Sequence, residues 1–268
     1  MSSDDGRASD GSGDRRGGDA SGASSASDTH QTTLTGERAE TDELVLSAHV
    51  ANNAEVFPKV LALHVPDGSA IADVTCGTLA FWKQVKADRY DLSATDIDPE
   101  KSRDSVEGVD CRDLPYSPRS MDAVVLDPPY ASGYFRRDPE TRPGVGSHAS
   151  FREAYSSGSA HDGSGKHHRA VVDLYRAAGA EAARVLREGG TFIVKVQDEV
   201  SANTQELTHI QITRLYEELG FETVDLFVVV RPNRPSVSGI DRQVHARKNH
   251  SYFMVYRRKS DDDAGADA

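Results

Sequence analysis

Four consecutive residues, Asp127, Pro128, Pro129 and Tyr130, carry the most legible chemistry in this sequence. Asp127 offers a carboxylate. Two successive prolines fix φ and have no N–H, so the backbone after Asp127 is stiff and its carbonyls find no helical or ladder partner. Tyr130 adds an aromatic face. A carboxylate, an outward carbonyl at Pro128 and a ring suit a flat heterocycle that bears an amino group. The two oxygens accept its N–H bonds and the ring stacks on its face.

These groups need a strand behind them. Residues 123–126 form a short apolar run between Asp122 and the proline pair, and read as a buried strand that ends at Asp127. Open α/β sheets bind ligands at the carboxyl ends of such strands. A second corner lies upstream, where SAIADVTCGT (69–78) reads as a buried strand over 70–74, a turn containing Thr75 and Gly77, and a helix over 79–86. The glycine lets the backbone approach a nucleoside-sized ligand. LSATDID (92–98) is a further short strand ending in acids. An acid about twenty residues beyond a glycine turn can accept from both ribose hydroxyls; Asp96 is the first choice and Asp98 the second. Either is alternatively the N-cap of a helix opened by Pro99. VDCRDL (109–114) supplies a third strand end with Asp110 and Asp113.

Apolar spacing predicts helices over 50–64, 170–187 and 205–219, the last two stopped by Gly189-Gly190 and Gly220. Strands are predicted over 191–196, 224–230 and 251–256; Lys195, Gln197 and Asp198 lie at the end of the first, either facing the same ligand edge or as polar groups of a loop. Alternating strands and helices, closing on two adjacent strands, imply a three-layer α/β sandwich. The long segment 131–168 opens with Tyr134, Phe135, Arg136 and Arg137, and reads either as a substrate-closing loop or, in its middle, as a surface insertion. Residues 231–250 hold Arg231, Arg234, Arg242, His245, Arg247, Lys248 and His250 with little acid. They are a phosphate-contacting element or a charge balance to the acidic body.

The 268 residues suffice for one substantial domain, expected over 43–259, between polar tails at 1–42 and 260–268 that cannot offset the entropy of ordering. With no long apolar run or secretory signal, the expected location is the cytoplasm, away from membranes. Cys76 and Cys111 lack metal-ligand spacing and read as buried structural thiols; no metal site is expected. The net charge of −12 is unusual for a protein that meets nucleic acid. Asp exceeds Glu and Arg exceeds Lys, a bias resembling proteins of salt-loving microbes. At molar salt little is gained from counterion release, so stacking and base contacts would carry more of the affinity.

The Asp-Pro-Pro-Tyr run at a strand end, preceded in order by a glycine turn and two acidic strand ends, resembles the S-adenosylmethionine-dependent amino-methyltransferases. The resemblance covers residues 44–258. It implies a Rossmann-like methyltransferase sheet of seven mostly parallel strands, the last antiparallel, with S-adenosyl-L-methionine as cofactor. Asp73, Thr75 and Gly77 match the turn that holds the methionine moiety, although Leu79 stands where the family's last glycine is expected. Asp113 would meet the cofactor's adenine, with Asp110 competing. Asn53, Phe57 and Pro58 are either contacts to the methionine part or packing residues of their helix. The implied activity is methylation of an exocyclic amino group on a flipped DNA base, most often adenine N6, with Asp127 to Tyr130 as the catalytic set. Alternatives are cytosine N4, then guanine N2 or adenine N6 in RNA, then a non-catalytic binding module. Methylation at cytosine C5 would need a cysteine after a proline, which neither cysteine is. Recognition would fall to loops 131–168 and 231–250. A nuclease partner from a restriction-modification system and the oligomeric state are not legible.

Overall fold

The computed structural model describes residues 44–104, 108–128, 168–201, 203–232 and 242–260. Among them are the strands β1 (Ala48–Val50), β2 (Ala70–Asp73), β3 (Asp91–Ala94), β4 (Met121–Leu126), β5 (Leu186–Val196), β6 (Glu199–Ser201), β7 (Thr204–Glu206), β8 (Phe221–Val230) and β9 (His250–Arg258). The helices are α1 (Asn53–His64), α2 (His168–Val185) and α3 (Thr208–Glu218), with a 3₁₀ turn at Phe81–Gln84.

Seven strands pair in the order β1-β8-β9-β5-β4-β2-β3. The β1–β8, β2–β3, β2–β4 and β4–β5 pairs are parallel, whereas β9 runs antiparallel to both β5 and β8. The fold is therefore the Rossmann-like, mostly parallel sheet that the sequence implied. Because β9 is reversed, its amino end lies at the edge where the parallel strands have their carboxyl ends.

Side-chain alternation divides the core in two. Val124, Leu126, Phe192, Val194, Met254 and Tyr256 face α2 and α3. Ile71, Ala123, Val125, Ile193, Phe253 and Val255 face Val56, Phe57, Val60 and Leu61 of α1. Helix α1 starts where the Asn52 side chain accepts from the Glu55 N–H at 3.1 Å, and it tolerates Pro58 in its second turn. Helix α2 buries Val171, Tyr175, Ala178, Ala182 and Val185, a 3.6-period stripe. Gly179 lies in that stripe because a Cβ there would stand 2.4 Å from Cε1 of Tyr216 on α3.

Several sequence expectations need correction. Residues 109–114 are not a strand: Val109 gives one N–H to the Asp96 carbonyl at 2.8 Å, and the chain then turns as Asp113 N–H bonds the Asp110 carbonyl at 2.9 Å. The helix expected over 79–86 shrinks to Phe81–Gln84, because Leu79 adopts φ +57°, which an α-helix does not admit. Helix α2 ends without a glycine stop; Gly189 and Gly190 lie inside β5 where its register against β4 shifts. Val50, the first residue of the first expected helix, ends strand β1, and Gln205 and Glu206, the first two of the third, belong to β7 of the β6–β7 hairpin. The expected tails, 1–42 and all of 260–268 but Ser260, lie outside the described residues. Among the described residues no helix is long and apolar enough to cross a membrane.

An alanine inside a helix ordinarily gains about 1 kcal/mol over glycine. Gly179→Ala should instead lose about 1–3 kcal/mol through overpacking against Tyr216, read as a lower urea midpoint; a gain would contradict this packing.

Candidate active site

The carboxyl ends of β2, β3, β4 and β5 converge with the amino end of β9. The turn after β2 is tied to its neighbours by backbone and side-chain bonds. Val74 N–H bonds the Val125 carbonyl at 3.1 Å, Cys76 N–H the Thr95 carbonyl at 3.0 Å, and Gly77 N–H the Asp96 carboxylate at 2.9 Å. Gly77 and Leu79 both have positive φ, +50° and +57°. Leu79 thus occupies, at some backbone strain, the left-handed conformation for which glycine is the usual residue. The departure from the family's turn is in residue type, while the conformation is one a glycine would adopt.

Asp73 closes this corner from within. It is 3% exposed and accepts from Trp82 Nε1–H at 2.7 Å and Thr75 N–H at 3.2 Å. Burial, with the charges of Asp127 and Asp96 adding to it, raises its pKa to about 7 against those two bonds. Thr75 reaches across to β4, its Oγ1 accepting the Asp127 N–H at 2.6 Å. One hydroxyl therefore fixes both corners.

Asp96 uses one oxygen for Gly77 N–H and the other for Asp98 N–H, each at 2.9 Å. Each oxygen keeps lone-pair capacity for a further donor, such as a hydroxyl. Asp98 is committed elsewhere: it caps the next turn through Glu100 N–H at 3.1 Å and pairs with Lys101 at 2.9 Å. Of the two candidates for a ribose, the geometry favours Asp96. Asp110 is held by Arg112 at 2.6 Å, whereas Asp113 is exposed. Phe57 is a packing residue: it is wholly buried, with its ring centroid 5.3 Å from Phe81, 5.1 Å from Trp82 and 5.7 Å from Phe253. Asn53 and Pro58 are half-buried at the start and middle of α1.

Alternation carries Asp127 beyond Ala123 and Val125, and Lys195 beyond Ile193, onto the α1 face of the sheet. Leu126 and Val194 are register partners, so Asp127 and Lys195 follow as neighbours. Lys195 is 1% exposed, its Nζ has no hydrogen-bond partner among the described residues, and it lies 3.8 Å from the Phe253 ring centroid. Burial pushes its pKa down to about 7; Asp127 opposes this and Arg231 adds to it. The sequence placed Lys195 at a strand end, facing the ligand edge or in a loop, without indicating that it is buried. The missed signal was a lysine in FIVKV at a position whose alternation points inward.

On the opposite face Asp198 accepts from His209 Nδ1–H at 2.7 Å and from Tyr252 OH at 3.3 Å, and His209 stacks on Tyr252 at 4.4 Å. Arg231, Arg242 and Arg247 are exposed and Lys248 is half-buried, in segments flanking the same edge. Pro128 is buried. Pro129, Tyr130, Tyr134, Phe135, Arg136, Arg137 and Arg234 lie outside the described residues. Burial pushes the Cys76 and Cys111 thiols up to about 12, so neither is a ready nucleophile. Among the described residues no acidic, histidine or cysteine group could hold a metal.

No protein-family model matches the chain, and neither does any curated protein. Three similar solved structures illustrate the level of likeness. A candidate DNA modification methylase of Thermus thermophilus, complexed with S-adenosyl-L-methionine, is 18% identical over 56% of this chain and 54% of its own, with a TM-score of 0.36. The chain thus spans about half the length of that protein. A SAM-dependent methyltransferase of Methanosarcina mazei is 11% identical over 75% and 97%, with a TM-score of 0.44. A candidate methyltransferase of Bacillus halodurans is 12% identical over 77% and 100%, with a TM-score of 0.46. All three scores are below 0.5, so the fold rests on the strand order itself.

The Asp73 environment has a pH signature. Its carboxyl stays protonated in the folded chain to about pH 7, whereas an unfolded aspartate ionises near ~3.9. Stability that this group provides is fully present below ~4 and is lost as pH rises through 7. Thermal midpoints measured across that range should fall more steeply for the native chain than for Asp73→Asn, and parallel curves would contradict the assignment.

Proposed function

We propose that this protein is an S-adenosylmethionine-dependent methyltransferase acting on an exocyclic amino group of a nucleic-acid base, with DNA adenine N6 as the leading target. The observation that carries the reading is the Asp127 corner. A carboxylate at the carboxyl end of a central parallel strand is fixed through its own N–H to Thr75, beside a strained glycine-type turn and a ribose-competent acid.

S-adenosylmethionine supplies an activated methyl group on a sulfonium. The chain's residues fit its parts: the Thr75–Gly77 turn and the Asn53 end of α1 for the methionine moiety, Asp96 for the ribose hydroxyls, and Asp113 for the adenine amino group. Aromatic amines are poor nucleophiles because their lone pair is delocalised into the ring. Asp127 and the Pro128 carbonyl, accepting the two N–H bonds, shift density back onto nitrogen and aim it, a positioning and electrostatic effect. A paired base must leave the duplex to reach this depth, and Tyr130 is assigned the stacking that offsets the loss. Arg231, Arg242, Arg247 and Lys248, with Arg234 and the residues 134–137, are assigned the phosphate and strand contacts.

The test incubates the full chain at high salt with radiolabelled S-adenosylmethionine and unmodified DNA or total RNA, followed by digestion to nucleosides. Label should appear in N6-methyladenine from DNA. Asp127→Ala should lower transfer by about 10²–10³-fold while leaving cofactor binding in place. Label in N4-methylcytosine would move the base, and label only in RNA would move the polymer. Cofactor binding with no transfer to either would overturn the catalytic reading.

A further inference from the structure

Across the sheet face that packs on α1, three ionisable side chains follow one another on adjacent parallel strands: Asp73 on β2, Asp127 after β4 and Lys195 on β5. Two have evident occupations. Asp73 holds the turn through Trp82 and Thr75. Asp127 is the amino-group acceptor of the reading above. Lys195 has none: its Nζ is buried against the Phe253 ring without a hydrogen-bond partner among the described residues, on a strand otherwise filled with Phe192, Ile193, Val194 and Val196. A lone lysine costs several kcal/mol to bury as a cation, and packing alone would favour an apolar side chain at this position.

We propose that Lys195 is a catalytic residue of this site, its Nζ being the acceptor of the proton that the substrate nitrogen sheds on methylation. The inference rests on the methyltransferase reading. When an amino nitrogen gains a carbon through its lone pair, it still carries both hydrogens and bears a positive charge. The pair of the broken carbon–sulfur bond stays on sulfur. The nitrogen returns to neutrality when one N–H bond breaks, its electron pair remaining on nitrogen, and the proton joins the lone pair of Nζ. The positive charge that entered the site on sulfur thus ends on Lys195, and the net charge of the site is constant through the step. Asp127, the adjacent carboxylate, offsets the ammonium once formed; a carboxylate alone is a weaker base.

The groups that bias Nζ come from each element around it. Asp127 favours its charged form, Arg231 at the end of β8 disfavours it, and the Phe253 face on β9 accommodates it. Tyr175 of α2 is engaged instead with the Lys195 backbone carbonyl at 2.7 Å. Nζ is consequently a free base above about pH 7, where an ordinary lysine is still charged.

The experiment compares the native chain with Lys195→Met, close in shape and without a proton site, and Lys195→Arg, which keeps the charge and cannot accept a proton. Both variants should bind S-adenosylmethionine as the native chain does. Single-turnover transfer should fall by about 10²-fold or more in each, and the acidic limb of the native rate profile near pH 7 should vanish. Independently of activity, the native chain should gain thermal stability relative to Lys195→Met as pH rises from 7 to ~10.4, since the unfolded lysine still binds a proton there and the folded one does not. A Lys195→Arg chain that transfers at the native rate would overturn the proposal. So would a Lys195→Met chain that keeps the native pH profile, or one that loses both stability and cofactor binding, which would mark a structural role. If the native chain transfers no methyl group, the parent reading fails with it, and the stability curves still report whether Nζ titrates as described.

Discussion

The site depends on one constraint: charge-capable groups placed where water does not reach. At the carboxyl edge of the central strands, Asp73 and Lys195 are almost wholly buried and their ordinary ionisation is suppressed from opposite directions, both toward neutral pH. An acid whose ionisation is delayed to about pH 7 and an amine whose protonation is suppressed to the same range flank Asp127 on one sheet face. Burial of such groups opposes folding, and the aromatic cluster of Phe57, Phe81, Trp82 and Phe253 supplies the apolar packing that surrounds them.

Backbone connections make this arrangement rigid. Thr75 Oγ1 joins the β2 turn to Asp127, and Asp96 joins the same turn to the segment after β3, so three strand ends move as one. Such preorganisation is what an electrostatic and positional mechanism needs, because no reorganisation is then left for the reacting state. The acidic surface is less of an obstacle than the net charge suggests, since Arg231, Arg242, Arg247 and Lys248 flank the carboxyl edge where a polyanion would approach.

The central strands were legible in the sequence because their apolar runs are bounded by turn residues, and so Asp73, Asp96 and Asp127 could be assigned to strand ends; that Asp73 lies between the other two follows only from the pairing of β2 with both β3 and β4. What escaped was whatever depends on a distant partner. Ala48–Val50 is a strand only because β8 pairs with it, and 109–114 is not one because its chain turns after a single bond to Asp96. Asp96 and Asp98 are alike in sequence and were separated only by the Lys101 and Glu100 contacts of the latter. Lys195 was open between a ligand-edge group and a loop polar group until strand register set it beside Asp127. The Asp198–His209–Tyr252 contact joins three elements that no local pattern relates.

The central claim is that this edge is built around S-adenosylmethionine. Equilibrium titration of the full chain with that compound, by calorimetry at high salt, tests it most directly. The account predicts one molecule bound per chain, affinity lowered at least tenfold by Asp96→Ala, equivalent to about 1.4 kcal/mol, and left near native by Asp127→Ala. Absence of binding by the native chain, or binding indifferent to Asp96→Ala, would contradict it.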